Sequence, residues 1–229
     1  MMTKKLTILL SMFTLFAFLT STSAFAHEMY FTGSGSSVTE IKLRWTPKNS
    51  STGRLKILIN KQSLTGTWAT YFEDARTAWH SSAVPGEFTT TTTTPAPNTY
   101  MATTTQQYWD TMYPDGPFTE TLGVTDLYDT NGSAINSYAT ASASTKQLKG
   151  ANIYLNPSPN SASAFTYRFT MSHELGHVLA LGHSHLPQYK PANPNTDPSI
   201  MSYDYYALGL SYLPQNHEVR EVKEMYGYQ

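Results

Sequence analysis

Apolar and polar residues alternate in two places in the first quarter of the chain. Ile41, Leu43 and Trp45 interleave with Lys42 and Arg44; Leu55, Ile57 and Ile59 repeat the pattern after a Ser/Thr/Gly turn at 49–53. A period of two predicts strands with one buried face. The period then changes. Trp68, Tyr71, Phe72, Ala75 and Trp79 fall on one face of a 3.6-residue repeat, which predicts a helix that Thr65 or Thr67 would cap. Phe88 opens a strand that runs into Thr89–Thr94 and is stopped by Pro95-Ala96-Pro97. That stretch reads as a surface loop, with an interdomain linker as the alternative. Strands and turns are expected over 122–143, with a tight turn at Asp129-Thr130-Asn131-Gly132 and a strand at 135–141. A short strand at 151–155 stops at Asn156-Pro157. A second helix is expected over 164–181, a Pro/Asn/Tyr-rich loop over 186–214, and a last helix over 216–226 with Val219, Val222 and Tyr226 on one face. The mixture places the chain in the α+β class.

The first residues follow another logic. Lys4 and Lys5 precede a mainly apolar run from Leu6 to Leu19, and the small-residue site Ala24-Phe25-Ala26 follows. This is the three-part pattern of a secretory signal peptide, and the run is shorter than the roughly 20 residues a spanning helix needs. Residues 1–26 are therefore expected to be removed. Residues 27–229 would form one exported domain, secreted or periplasmic, with 27–40 as a short leading segment and no stable membrane association. The whole chain has 229 residues, 15 Lys+Arg against 16 Asp+Glu, and no basic block, which argues against nucleic acid as a partner. It has no cysteine, which excludes disulfides, thiolate metal sites and a thiol nucleophile.

The chemistry is concentrated in residues 173–183, His-Glu-Leu-Gly-His-Val-Leu-Ala-Leu-Gly-His. His173 and His177 stand four apart, so a helix projects both imidazoles from one face, as two corners of a tetrahedral zinc site require. Glu174 lies beside that face, placed to take a proton from a water polarised by the metal. His183 would lie about 15 Å along the axis from His173 if the helix continued. Gly182 is expected to take a positive φ and end the helix, which swings His183 back as the third ligand. Three protein ligands leave a fourth position for water, the signature of a catalytic zinc.

Ser199-Ile200-Met201-Ser202-Tyr203 follows the histidine segment. Together the two stretches resemble the metzincin metallopeptidases, and within them the matrixins. The resemblance implies a zincin-like fold: a twisted, mostly parallel sheet with an antiparallel edge strand, three main helices, and zinc on the second. It implies that His173, His177 and His183 bind zinc, that Glu174 is the general base, and that Met201 forms the methionine turn beneath the metal. Tyr203 matches the tyrosine that astacin-like and serralysin-like members direct at the zinc or the oxyanion; a packing role beside Tyr205 and Tyr206 is the alternative. Residues 135–141 would be the edge strand on which substrate lies. Two departures from the family matter. Ala180 stands where glycine is usual, which shifts the expected turn to Gly182 and leaves His185 and Asp197 as alternative third ligands. The acidic pair that usually opens the last helix is replaced by Asn216-His217, so other hydrogen bonds must hold that helix.

The activity implied is zinc-dependent endopeptidase cleavage of an extended polypeptide by a monomeric enzyme. A zinc-holding binding protein without turnover is the second reading. A third is a copper oxidase, in which the new N-terminal His27 would chelate copper with His80 or His217. A calcium site near Asp126, Asp129 and Asn131 is a further expectation.

Overall fold

The computed structural model describes residues 31–32, 39–40, 44–45, 54–84, 86–93, 96–112, 121–135, 147–159, 162–183, 199–201 and 211–226. Its elements in order are β1 (Phe31–Thr32), β2 (Thr39–Glu40), β3 (Arg44–Trp45), β4 (Leu55–Ser63), α1 (Gly66–Ser81), β5 (Gly86–Thr90), β6 (Thr99–Thr103), α2 (Gln106–Met112), β7 (Gly123–Asp129), β8 (Gln147–Leu155), α3 (Ala164–Val178) and α4 (Asn216–Tyr226). β1 and β2 form a small antiparallel pair. The other strands form one mixed sheet. β5, β4, β6 and β8 lie side by side in parallel, and β3 joins the start of β8 in parallel through Arg44↔Gln147 and Trp45↔Leu148. β7 runs antiparallel along β8, from Gly123↔Leu155 to Asp129↔Leu148.

The alternation in β4 resolves as expected: Leu55, Ile57 and Ile59 are fully buried, with Lys56, Leu58 and Asn60 on the other face. Phe88, Met101, Leu127, Ala151, Ile153 and Leu155 complete the covered face of the sheet. α1 packs its predicted stripe there, with Trp68, Phe72, Ala75 and Trp79 buried. Thr65 stands at its N-cap position, but its hydroxyl makes no cap bond.

α3 differs in kind. Phe169 to Gly176 and Val178 are all buried, so the second half of the helix is almost wholly enclosed, while Ala164 is exposed and 165–168 are half-buried. Such a helix lacks an amphipathic pattern. Its start is marked instead by a capping box, in which Ser163 and Thr166 bond each other's backbone N–H. Three indoles bind backbone carbonyls around it: Trp68 Nε1 donates to Asn156 O (2.7 Å), Trp79 Nε1 to Ser172 O (2.9 Å) and Trp45 Nε1 to Val178 O (2.6 Å). Tyr226 of α4 donates its hydroxyl to Leu179 O at 3.1 Å.

Several expectations need correction. An antiparallel strand beside β8 is β7 at 123–129; of the expected strand at 135–141, Ile135 lies just past a bridge between Tyr128 and Ala134, and 136–141 lie outside the described residues. β6 and α2 were not foreseen, and α2 makes the histidine helix the third helix instead of the second. That helix ends at Val178, three residues short of the expected 181. Among the described residues, no helix is long and apolar enough to cross a membrane.

Candidate metal centre

The end of α3 builds the centre. Ala180 N donates to His177 O (2.8 Å) and Leu181 N to Gly176 O (3.0 Å), the paired bonds of a Schellman cap. Such a cap needs a left-handed residue after the helix, and Ala180 supplies it with φ 77°. The sequence expectation put this turn at Gly182. Ala180 takes it despite its Cβ, and the left-handed glycines among the described residues are Gly66 and Gly132. The turn faces the Leu181 carbonyl toward His177 Nδ1 (2.7 Å) and returns His183 to the other two histidines.

The result is a triangle. His173, His177 and His183 bring their Nε2 atoms within 3.1, 3.1 and 3.2 Å of one another. His173 Nδ1 lies 2.6 Å from Ile200 O, and His177 Nδ1 faces Leu181 O. A carbonyl only accepts, so in both rings Nδ1 carries the proton and Nε2 the lone pair. Burial pushes His173 down to about 3, with His177 beside it adding to the effect, and burial pushes His177 down to about 4. Burial, with His177 and His173 alongside, drives His183 far below the ordinary range.

Neutral imidazoles whose lone pairs meet at this distance repel unless a cation lies between them. A tetrahedral zinc with bonds of about 2.0–2.1 Å holds its nitrogens about 3.3 Å apart. The observed separations fit that requirement, and the two Nδ1–H···O=C bonds fix each ring as ligand-holding hydrogen bonds do. Among the described residues this is the cluster of three His, Cys, Asp or Glu that could hold a metal ion.

Glu174 sits next to the triangle and is buried. Thr125 of β7 donates its hydroxyl to Glu174 Oε2 at 2.6 Å. Burial raises the Glu174 carboxyl to about 7, against the lowering effect of that hydrogen bond. A Cβ at Gly123 would lie 2.9 Å from both Cγ and Oε1 of Glu174, so the strand leaves the carboxylate room at that position.

Met201 lies fully buried under the same helix. A side chain at Gly176 would run into its sulfur and come within 3.2 Å of Trp79. That accounts for the glycine within the histidine segment. Met201 N donates to Ser199 Oγ (2.9 Å), and Ser199 Oγ donates to Glu218 Oε1 (2.6 Å). Ile200 N donates to the same oxygen at 2.8 Å, and Gln215 N to Glu218 Oε2. Glu218, at the third position of α4, therefore does the work that the missing acids at 216–217 left unassigned.

Of the predicted site residues, His173, Glu174, His177, His183 and Met201 come together here. Tyr203, His185, Asp197 and His27 lie outside the described residues, as does the side chain of His217. His80 is engaged elsewhere, its Nε2 accepting from Phe88 N at 2.9 Å. The calcium expectation finds no support: Asp129 Oδ1 is used by Asn131 N and Ser133 N within a turn. Thr125, Gly123 and Glu218 were missed. Only Glu218 left a trace in the sequence, as an acid three residues into a helix.

No protein-family model matches the chain, and no curated protein does. Among solved structures the chain is similar to high choriolytic enzyme 1, a hatching enzyme zinc-protease from Oryzias latipes (medaka). The identity is 14%, over 81% of this chain and 95% of that one, with a TM-score of 0.43. It is also similar to the ECX AB5 holotoxin in its GM1-bound form, at 13% identity over 89% of each chain and a TM-score of 0.46. At these values the reading of the site rests on its own residues.

Proposed function

We propose that this protein is a zinc-dependent endopeptidase of the metzincin type, exported by way of residues 1–26. One observation carries the reading: three imidazoles, that of His173 buried and those of His177 and His183 half-buried, converge on one point with a buried acid, Glu174, next to His173 in the same helix. His173, His177 and His183 would hold the ion. Zinc bound there supplies Lewis acidity toward a carbonyl and makes water a nucleophile near neutral pH. Glu174 takes the proton from the attacking water and delivers it to the leaving amine. Met201 and the Ser199–Glu218 bonds support the ligand helix from below.

The substrate we assign is an extended polypeptide. β7 is an antiparallel strand beside Glu174, and among the described residues it pairs with β8 and, through Tyr128, with Ala134. Its other edge is suited to an added strand, held by main-chain hydrogen bonds. A strand lying across the site has chain on both sides of the cut, which favours internal cleavage. Tyr203 is proposed as an oxyanion donor.

The test is incubation of the purified, zinc-loaded protein with an unfolded protein such as casein, beside Glu174→Ala. Fragments from the wild type alone, with one zinc in each protein, are the expected result. Equal cleavage by both would overturn the role of Glu174. No cleavage by a zinc-loaded wild type would favour a zinc-holding scaffold.

A further inference from the structure

We propose that Thr125 is a positioning residue for the reaction, holding the Glu174 carboxylate in one orientation from the neighbouring strand. The inference rests on the peptidase reading of Glu174 and adds to it a residue outside the histidine segment. Glu174 hangs from α3 on three rotatable bonds, and a helix alone does not fix where its oxygens point. Two neighbours from β7 do. Thr125 Oγ1 is 2.6 Å from Glu174 Oε2, the short distance of a hydroxyl bonded to a carboxylate. At Gly123, two residues earlier and on the same side of the strand, a Cβ would come within 2.9 Å of Cγ and Oε1, so the glycine leaves the carboxylate that place. One carboxylate oxygen is thus engaged and the other is set against a position that carries no side chain.

The sheet makes the hydroxyl itself rigid. Thr125 pairs with Ile153 and Gly123 with Leu155, so both are fixed in register on the interior strand β8. Threonine is branched at Cβ, which restricts χ1 and keeps the hydroxyl on one bearing. Among the described residues Thr125 provides the side-chain hydrogen bond to the carboxylate, while the contact of its hydroxyl with Glu174 O is longer at 3.3 Å. A base held this way meets its proton without first searching rotamers. The adjoining strand therefore both borders the place we assign to substrate and aims the group that acts on it.

The experiment compares wild type, Thr125→Val and Thr125→Ser, all zinc-loaded, on a quenched peptide built from a cut site mapped in casein. Valine keeps the shape and removes the hydroxyl; serine keeps the hydroxyl and removes the methyl. The expected result is a roughly tenfold fall in kcat for the valine variant with KM unchanged, and recovery to within about threefold of wild type for serine. Zinc content should stay at one per chain in all three. A crystal structure of the valine variant should show the Glu174 carboxylate turned away from strand β7. A valine variant with wild-type kcat overturns the proposal. So does a serine variant as slow as valine, because packing and not the hydroxyl would then matter. If zinc-loaded wild type leaves casein intact, the peptidase reading itself fails and the assignment of Thr125 falls with it; if Glu174→Ala cleaves as fast as wild type, Glu174 is not the base and Thr125 has nothing to position.

Discussion

Glu218 and His173 are joined through a single residue, Ile200, whose N–H donates to Glu218 Oε1 at 2.8 Å and whose carbonyl accepts from His173 Nδ1 at 2.6 Å. A fully buried acid at the start of the last helix thereby sets the ring of a candidate metal ligand. Glu218→Gln keeps the shape but turns one acceptor into a donor facing an N–H or O–H. We expect a loss of about 1–3 kcal/mol in urea unfolding, and zinc affinity lower by about tenfold or more in competition with a chelating dye. Lower stability with unchanged affinity would show that Ile200 does not pass the change on to His173.

Metal removal should separate fold from function. A chelator is expected to abolish cleavage, and added zinc to restore it, with the far-UV circular dichroism unchanged throughout. Zinc at about 100 times its Kd should stabilise the folded chain by about 2.7 kcal/mol, read as a rise in Tm.

Gly176 tests the support beneath the site. Gly176→Ala places a methyl against the Met201 sulfur and Trp79. The expected cost is about 1–3 kcal/mol. Met201→Ala opens that space, so the double variant should be more stable than the sum of the two single losses predicts. Strict additivity in urea unfolding would argue against the contact.

Ala180 tests the turn. With φ at 77°, it bears the roughly 1–2 kcal/mol that a left-handed backbone costs a residue with a Cβ. Ala180→Gly relieves this but loses a buried methyl worth about 0.8 kcal/mol and adds chain entropy, so stability should move by less than about 1 kcal/mol. Ala180→Val, branched at the same φ, should lose about 2 kcal/mol or more. A harmless valine would place the turn elsewhere.

His80 predicts a pH dependence remote from the metal. Burial lowers its pKa, Arg76 and Arg54 push the same way, and Glu87 and Glu73 oppose them. Its Nε2 accepts from Phe88 N, which the neutral ring alone can do. The folded pKa lies below the unfolded value of about 6.5, so this stabilisation is complete above that pH. It is lost as pH falls from there toward the folded value. Urea midpoints at pH 7.5 and 5.5 should therefore differ more for wild type than for His80→Gln. Equal differences would remove His80 from the account.

The histidine segment was legible because metal chemistry dictates both residue type and spacing. The strand at 55–59 and the helix at 66–81 were legible because each turns one apolar face to one core. The strand beside Glu174 was legible only as part of a strand-and-turn stretch over 122–143, without its bounds or its place at the site. Its side toward the helix carries Gly123 and Thr125 before Leu127, small groups that make room for a carboxylate and so erase the apolar alternation. The edge-strand role went to 135–141 on the family resemblance, and 136–141 lie outside the described residues. α2 was missed because it is seven residues long with Trp109 as its buried residue, too little for a period to register. The turn was misplaced because intrinsic preference favours Gly182, whereas the cap bonds of Ala180 and Leu181 decide it. Glu218 was hidden for a different reason. Its partners, Ser199 and Ile200, lie far back along the chain, and only the fold brings them to it.

All three imidazoles come from one short stretch, 173 to 183, and this determines what the ion can do for the molecule as a whole. Bridging residues so close in sequence closes a small ring and restricts the unfolded chain little. The sheet pairings and the indole bonds of Trp68 to Asn156 O and Trp79 to Ser172 O stand on contacts outside that ring. An ion held there would be a removable part seated in a finished frame. On the proposed function, the chain should fold empty, keep without activity, and be switched on by loading the metal afterwards.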